Sequence, residues 1–165
     1  MTSLQKTIFV DRTRKTDTHR TSGEMARRLA DGHAVLLFAE GQSDIGTHVL
    51  PFRSALIGAA QSAMQEAGAQ NVAIQPVTIA YTKMQGMPVS RNERNRIAWI
   101  RSKSVWQNIT EILGGSGKDV TIAFGIPVPL RENDDRKLIT RQCEAEVRAN
   151  LVALNRGLPM REAAE

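Results

Sequence analysis

Residues 34–38 are continuously apolar, and the run stops abruptly at Glu40-Gly41. This change constrains the fold more than any other local feature. A short apolar run without polar alternation is what a strand covered on both faces looks like. A polar segment follows, then Leu50-Pro51-Phe52-Arg53, then a helical pattern over residues 54–67 with Leu56, Ile57, Ala60 and Met64 along one stripe. Gly68 ends it. Residues 72–81 read as a second central strand, interrupted at Pro76, which cannot donate to a ladder. Strand, helix and strand in this order predict a right-handed crossover, with 34–38 and 72–81 adjacent in one sheet.

The remaining elements extend this pattern. Residues 7–10 form a short β-branched and aromatic run, a predicted strand, followed by a polar loop over 11–20. Thr21-x-x-Glu24 reads as a capping box opening a helix to Asp31, with Met25 and Leu29 on its inner face and Gly32 as its stop. Residues 82–96 are polar, contain Gly86 and Pro88, and read as a long loop. A short helix is predicted over 105–113. Val120, Ile122 and Phe124 alternate with Thr121 and Ala123, a half-buried strand ended by Pro127 and Pro129. Residues 136–155 carry the longest helical pattern, with Ile139, Cys143, Val147, Leu151 and Leu154 on one stripe. The fold class that follows is α/β, a largely parallel mixed sheet with flanking helices. Residues 1–156 form one domain and 157–165 a flexible tail.

A chain of 165 residues can bury a real core, but with 4% aromatics that core rests on Leu, Ile, Val, Met and Ala. The single cysteine, Cys143, excludes an internal disulfide and a cysteine-based zinc cluster, and fits a reducing, cytoplasmic setting. Three scattered histidines give no metal-ligand spacing, so no metal is expected. The net charge of +5 suits an anionic membrane surface, a phosphorylated substrate or nucleic acid, or solubility alone. No run approaches the roughly 18–20 apolar residues of a membrane helix. The first residues have no apolar signal core, so membrane contact is expected to be peripheral. Gly-x-Ser-x-Gly and the Gly-x4-Gly-Lys-Ser/Thr loop are both absent. Gly114-Gly-Ser-Gly117 reads as a turn. Trp99 and Trp106 fit either an interfacial patch or core packing, with packing favoured. Arg14, Lys15 and Arg20 read as a solvated or membrane-facing cluster.

The candidate site residues lie beyond strand ends, where α/β sheets build their sites. Arg12 follows the 7–10 strand and Arg53 precedes the 54–67 helix. Each suits an anion, because a guanidinium grips phosphate bidentately, or is a solvated surface arginine. Glu40 fits three roles: accepting from a substrate hydroxyl, pairing with Arg12, or structuring the loop. Gly41 either lets backbone approach a ligand or serves a turn.

The same blocks carry a resemblance to the glycerolipid acyltransferases, which acylate lysophosphatidic acid. Thr7-Ile-Phe-Val-Asp-Arg12, Phe38-Ala-Glu-Gly41 running into Leu50-Pro-Phe-Arg53, and Ile74-Gln-Pro-Val77 are similar to three of that family's blocks, in order. The resemblance implies that Arg12, Glu40, Gly41 and Arg53 contact the acceptor and that Pro76 shapes the adjoining wall. It implies a lyso-lipid acceptor and an acyl carrier protein or coenzyme A thioester as co-substrate. It also implies no cofactor and a cytoplasmic location peripheral on the inner membrane; no nucleic acid is expected, because aromatics are few and no recognition motif appears. Ala39, Gln42 and Ser43 depart from the family pattern; Ser43 stands where many members carry a phosphate-binding arginine. That leaves room for a lyso-ornithine lipid in place of lysophosphatidic acid.

The family's catalytic block, His-x4-Asp, is not matched. His19 is followed at that spacing by Glu24, His33 by Phe38 and His48 by Arg53. Glu24 reads as the helix cap, and His48 has no evident acidic partner. The expectation is therefore a chain lacking the N-terminal catalytic block, with no catalytic residue assigned and little activity alone. The rival reading is a non-catalytic basic module for anionic lipid or nucleic acid.

Overall fold

The structure, a computed structural model, describes residues 17–69, 72–98, 106–107, 109–110, 114 and 117–159. The predicted 7–10 strand, Arg12, Arg14, Lys15 and Trp99 lie outside these residues. The chain divides into two units: Met1–Ala39, Arg53–Ile74 and Val128–Thr140 in the first, and Glu40–Phe52, Gln75–Pro127 and Arg141–Glu165 in the second.

In the first unit, helix α1 (Asp17–Ala30) packs on α2 (Ser54–Ala67). α1 starts ahead of Thr21, so the predicted capping box lies inside the helix and the predicted loop is helical at its end. Ser22, Met25 and Ala26 are buried, and Ser22 Oγ donates to the Ala59 carbonyl at 3.2 Å across the helix pair. Met25, Ala26 and Ala63 form the core, closed by Leu29, Val35, Ala60 and Ala67. Small residues at the contact allow close approach of the two helices. α2 keeps the predicted bounds and ends at Gly68, whose φ of 59° is the left-handed conformation glycine adopts without steric cost.

The predicted strand over 34–38 is not formed, and Leu36 (68% exposed) and Phe38 (71%) face solvent. Continuous apolarity cannot by itself supply a ladder partner. The intended partner is split at Pro76 into β1 (Ala73–Ile74) and β2 (Val77–Met84), which belong to different sheets. β1 instead pairs antiparallel with β5 (Val128–Pro129). Every strand pairing among the described residues is antiparallel, so the architecture is mixed α and β with antiparallel sheets, not largely parallel.

The second unit is built on an antiparallel sheet in the order β3 (Met87–Pro88), β2, β4 (Lys118–Phe124). The segment read as a loop over 82–96 contains the end of β2, a hairpin and helix α3 (Arg91–Ile97). Two local signals account for this. Gln85 and Gly86 both have positive φ, 53° and 78°, which suits a tight hairpin turn. Ser90 and Glu93 form a capping box, with Ser90 N donating to Glu93 Oε2 at 2.7 Å. Along α4 (Arg136–Asn155) the predicted stripe is buried at Ile139, Cys143, Val147 and Leu151. In this unit Val147 and Leu151 pack with Val49 and Ala80, and with Phe52 and Leu154 at the margin.

β2 is exposed on one face, unlike the central strand expected, and β4 turns to the core the face opposite to the one expected. Thr78, Ala80 and Ala123 are buried, whereas Ile79, Tyr81, Val120, Ile122 and Phe124 are exposed. Of these small residues, Ala80 packs with Val147 and Leu151 of α4.

Candidate functional site

The segment Glu40–Phe52 has no regular secondary structure, so its shape depends on hydrogen bonds. Its two flanking residues are joined, Arg53 N donating to the Ala39 carbonyl at 2.9 Å. Inside it, Leu50 N donates to Glu40 Oε2 at 2.9 Å. Phe52 N donates to Glu144 Oε2 at 3.0 Å, and Arg148 donates to Glu144 Oε1 at 2.7 Å. Pro51 has no amide hydrogen, so two carboxylates hold the two donors on either side of it. Gly41 and Gly46, with φ of 69° and 71°, let the chain turn where a Cβ would strain it.

Glu40 therefore has a demonstrated structural role, the third of the roles its sequence position allowed. One of its oxygens is committed to the loop. Gly41 is a turn glycine by its φ. Pro76 is buried, and its carbonyl accepts from Gly125 N at 2.8 Å. In the first unit Arg53 is exposed and is the residue preceding α2, with no side-chain cap bond. A cation beside a helix N-terminus adds no favourable dipole term, so the helix itself does not explain an arginine there.

Glu144 was not evident from sequence as a site residue. Its carboxyl is held below the ordinary range, first by the Phe52 amide and then by Arg148, against the opposing effect of burial. The spacing Glu144–Arg148 marked only a helical ion pair; the link to Phe52 is long-range and needs the fold. Glu146 makes a second such link, accepting from Ile126 N at 2.7 Å. A Cβ on Gly125 would collide with the Glu146 carboxyl and come within 3.2 Å of Pro76 Cβ. Buried Cys143 has its thiol pushed up by desolvation and by Glu146, which makes it a poor nucleophile.

His48 does have an acidic neighbour, contrary to the sequence reading. Its Nδ1 lies 3.5 Å from Asp44 Oδ2 and 3.1 Å from Thr47 Oγ1. The first distance is long for an orienting hydrogen bond, and buried Asp44 Oδ2 has no hydrogen-bond partner in the structure. A base and its orienter are thus near one another but not coupled as a catalytic pair requires. Trp106, expected in the core, is 76% exposed. A cleft of about 650 Å³ lies along α4, bordered by Arg141, Glu144, Arg148, Val152 and Leu158, and holds none of the sequence-predicted site residues. Among the described residues no group of His, Cys, Asp and Glu could hold a metal ion, and no helix is long and apolar enough to cross a membrane.

The blocks around Glu40, Arg53 and Pro76 fall where known sequences match. The family described as Acyltransferase matches residues 1–80. A lyso-ornithine lipid O-acyltransferase of Brucella abortus is 42% identical over 158 residues, covering 94% of this chain and 59% of that protein. One from Rhizobium meliloti is 33% identical over 154 residues, 93% of this chain and 53% of its own length. One from Rhodobacter capsulatus is 30% identical over 125 residues, 75% and 42% respectively. No solved structure matches the chain. The chain belongs to the acyltransferase family. It spans about half the length of the curated relatives it matches.

Proposed function

We propose that this chain is the acceptor-side part of an acyltransferase of lipid biosynthesis, and that its acceptor is a lyso-ornithine lipid rather than lysophosphatidic acid. The reaction joins the acceptor's free hydroxyl oxygen to the carbonyl carbon of an acyl thioester. The C–O bond forms, the C–S bond breaks, and the hydroxyl proton leaves with the thiol of acyl carrier protein or coenzyme A. The observation that carries the reading is the 42% identity, over 94% of this chain, to a protein so named.

The charges of the site segment support the choice of acceptor. Between Glu40 and Phe52 the formal charges are two carboxylates, Glu40 and Asp44, and no arginine or lysine. Asp44 retains an oxygen without a hydrogen-bond partner. Such a segment suits the ammonium of an ornithine head group. On the strength of the matched blocks, Arg12, Glu40, Gly41 and Arg53 contact the acceptor and Pro76 shapes the adjoining wall. The enzyme would work on the cytoplasmic face of the inner membrane as a peripheral protein.

General-base catalysis typically supplies about 10²–10⁴-fold, and this chain has no coupled His–Asp pair among its described residues. The chain alone is expected not to transfer acyl groups above background in a labelled-donor assay. A longer form carrying His-x4-Asp is expected to acylate lyso-ornithine lipid in preference to lysophosphatidic acid. Asp44→Asn in that form should erode the preference, and Glu40→Ala should weaken turnover severely. Preference for lysophosphatidic acid by the longer form would reject the acceptor assignment. Turnover by the short chain, lost on His48→Ala, would reject the account of the missing base.

A further inference from the structure

The cleft along α4 lies outside residues 1–80, the part that the Acyltransferase family matches. Its two ends differ in chemistry. At one end Val152 and Leu158, both exposed, line it with apolar surface. The helix stop places Leu158 there. Gly157 takes a φ of 65°, and Leu158 N donates to the Ala153 carbonyl at 2.9 Å, which turns the chain back beside the last turn. At the other end Arg141 and Arg148, about two turns apart, border the cleft with Glu144 between them. Both Glu144 oxygens are engaged, one by Phe52 N and the other by Arg148. Arg148 is 47% exposed and uses one nitrogen, Nη2, for that pair. The rest of its five-donor fork is left for another acceptor.

We infer that this cleft binds an anionic lipid molecule, its charged head on Arg141 and Arg148 and its hydrocarbon along Ala149, Val152 and Leu158. Three features favour that occupant. First, the charge is complementary. Two guanidinium groups face one carboxylate that is already engaged, and guanidinium binds phosphate or carboxylate through paired hydrogen bonds. Second, cationic and apolar residues are segregated along the cleft, as head and tail are in a lipid. From Arg141 to Val152 the helix rises about 16 Å, which separates the two. Third, the volume of about 650 Å³ suits a single small molecule. An acidic amphipathic helix would instead meet cations along the whole groove. Among the described residues no cation lines the cleft beyond Arg148. Binding here is independent of acyl transfer and of which lyso-lipid is the acceptor.

The experiment is titration of the isotope-labelled full chain with dihexanoylphosphatidic acid below its micelle concentration, followed by amide chemical shifts, with circular dichroism to verify folding. Saturable shifts are expected at Ala149, Val152 and Leu158. Arg141→Gln and Arg148→Gln should each weaken binding about tenfold, as loss of a hydrogen bond to a charged group does. Val152→Asp, at an exposed position, should weaken it in the same direction. Leu36→Ser, an exposed position in the first unit, should leave affinity unchanged. Dihexanoylphosphatidylcholine, which has no net charge, and inorganic phosphate, which has no tail, should each bind about tenfold more weakly or less. Absence of saturable shifts overturns the proposal, and so do shifts centred outside residues 141–158. Equal affinity for phosphatidylcholine or for inorganic phosphate overturns it as well, the latter leaving a bare anion site. An acidic amphipathic peptide that binds these residues when the lipid does not would assign the cleft to a protein instead. If Arg148→Gln fails to fold, Arg141→Gln and Val152→Asp decide, and affinity unchanged in both rejects the site.

Discussion

In α4, Ile139, Cys143, Val147 and Leu151 recur along one stripe and all are buried. In β4, Val120, Ile122 and Phe124 alternate as regularly, yet all are exposed while Ala123 between them is buried. Both patterns are strong enough to specify an element, and both elements form with close to the expected bounds. The difference lies in the size of the residues on the two available faces. A helix stripe has one apolar side and so one way to be buried. A strand has two sides, and the unit buries the small one, Thr78, Ala80 and Ala123. Periodicity identifies a strand; it does not say which face meets the core.

The largest test sets a buried position against an exposed one. Leu151→Ala should destabilise by about 2–5 kcal/mol, as deletion of a core leucine does. Ile122→Ala on the exposed face should cost less than about 0.5 kcal/mol in dilute solution. Urea denaturation compares the two directly. A large cost at Ile122 that persists at low protein concentration would mean that the face is covered within one chain.

A smaller effect tests how β4 is anchored. Gly125→Ala should cost about 1–3 kcal/mol, because the added Cβ meets the Glu146 carboxyl and crowds Pro76. Ala123→Gly, on the same strand but without that crowding, serves as a comparison through lost packing alone. Equal stability of Gly125→Ala and the parent would show that Glu146 can move away freely.

The smallest effect concerns α4 and the Glu40–Phe52 segment. Glu144→Gln should cost about 1 kcal/mol at neutral pH through the weakened bond to Phe52 N. The sign of its pH dependence follows from the lowered carboxyl. A group whose folded value lies below its unfolded one stabilises fully above the unfolded value. That stability is lost as pH falls through the folded value. The parent should therefore lose more stability than Glu144→Gln on acidification below the ordinary carboxylate range. Parallel stability curves for the two proteins would remove Glu144 as the tie.

Much of the secondary structure was legible. The bounds of α2 and α4, the break at Pro76 and the helix stops at Gly32 and Gly68 follow from residue types acting over a few neighbours. The hairpin turn at Gln85-Gly86 and the Ser90–Glu93 capping box were equally local and were obscured by the polarity of their surroundings. The 34–38 strand failed for a different reason. A ladder needs a partner, and the segment expected to provide it pairs elsewhere after Pro76 divides it.

At the candidate site the same boundary applies. By itself the sequence determined that the chain resembles acyltransferases through three ordered blocks and without a His-x4-Asp block. Those are properties of residue identity and short spacing. Only the tertiary structure decided that Glu40 holds Leu50, that Glu144 holds Phe52 across 92 residues of chain, that Asp44 lies beside His48, and that the broad apolar face of β2 and β4 points outward. Hydrogen bonds between distant residues and the choice of a buried face depend on what comes into contact, and contact is set by packing of the whole unit.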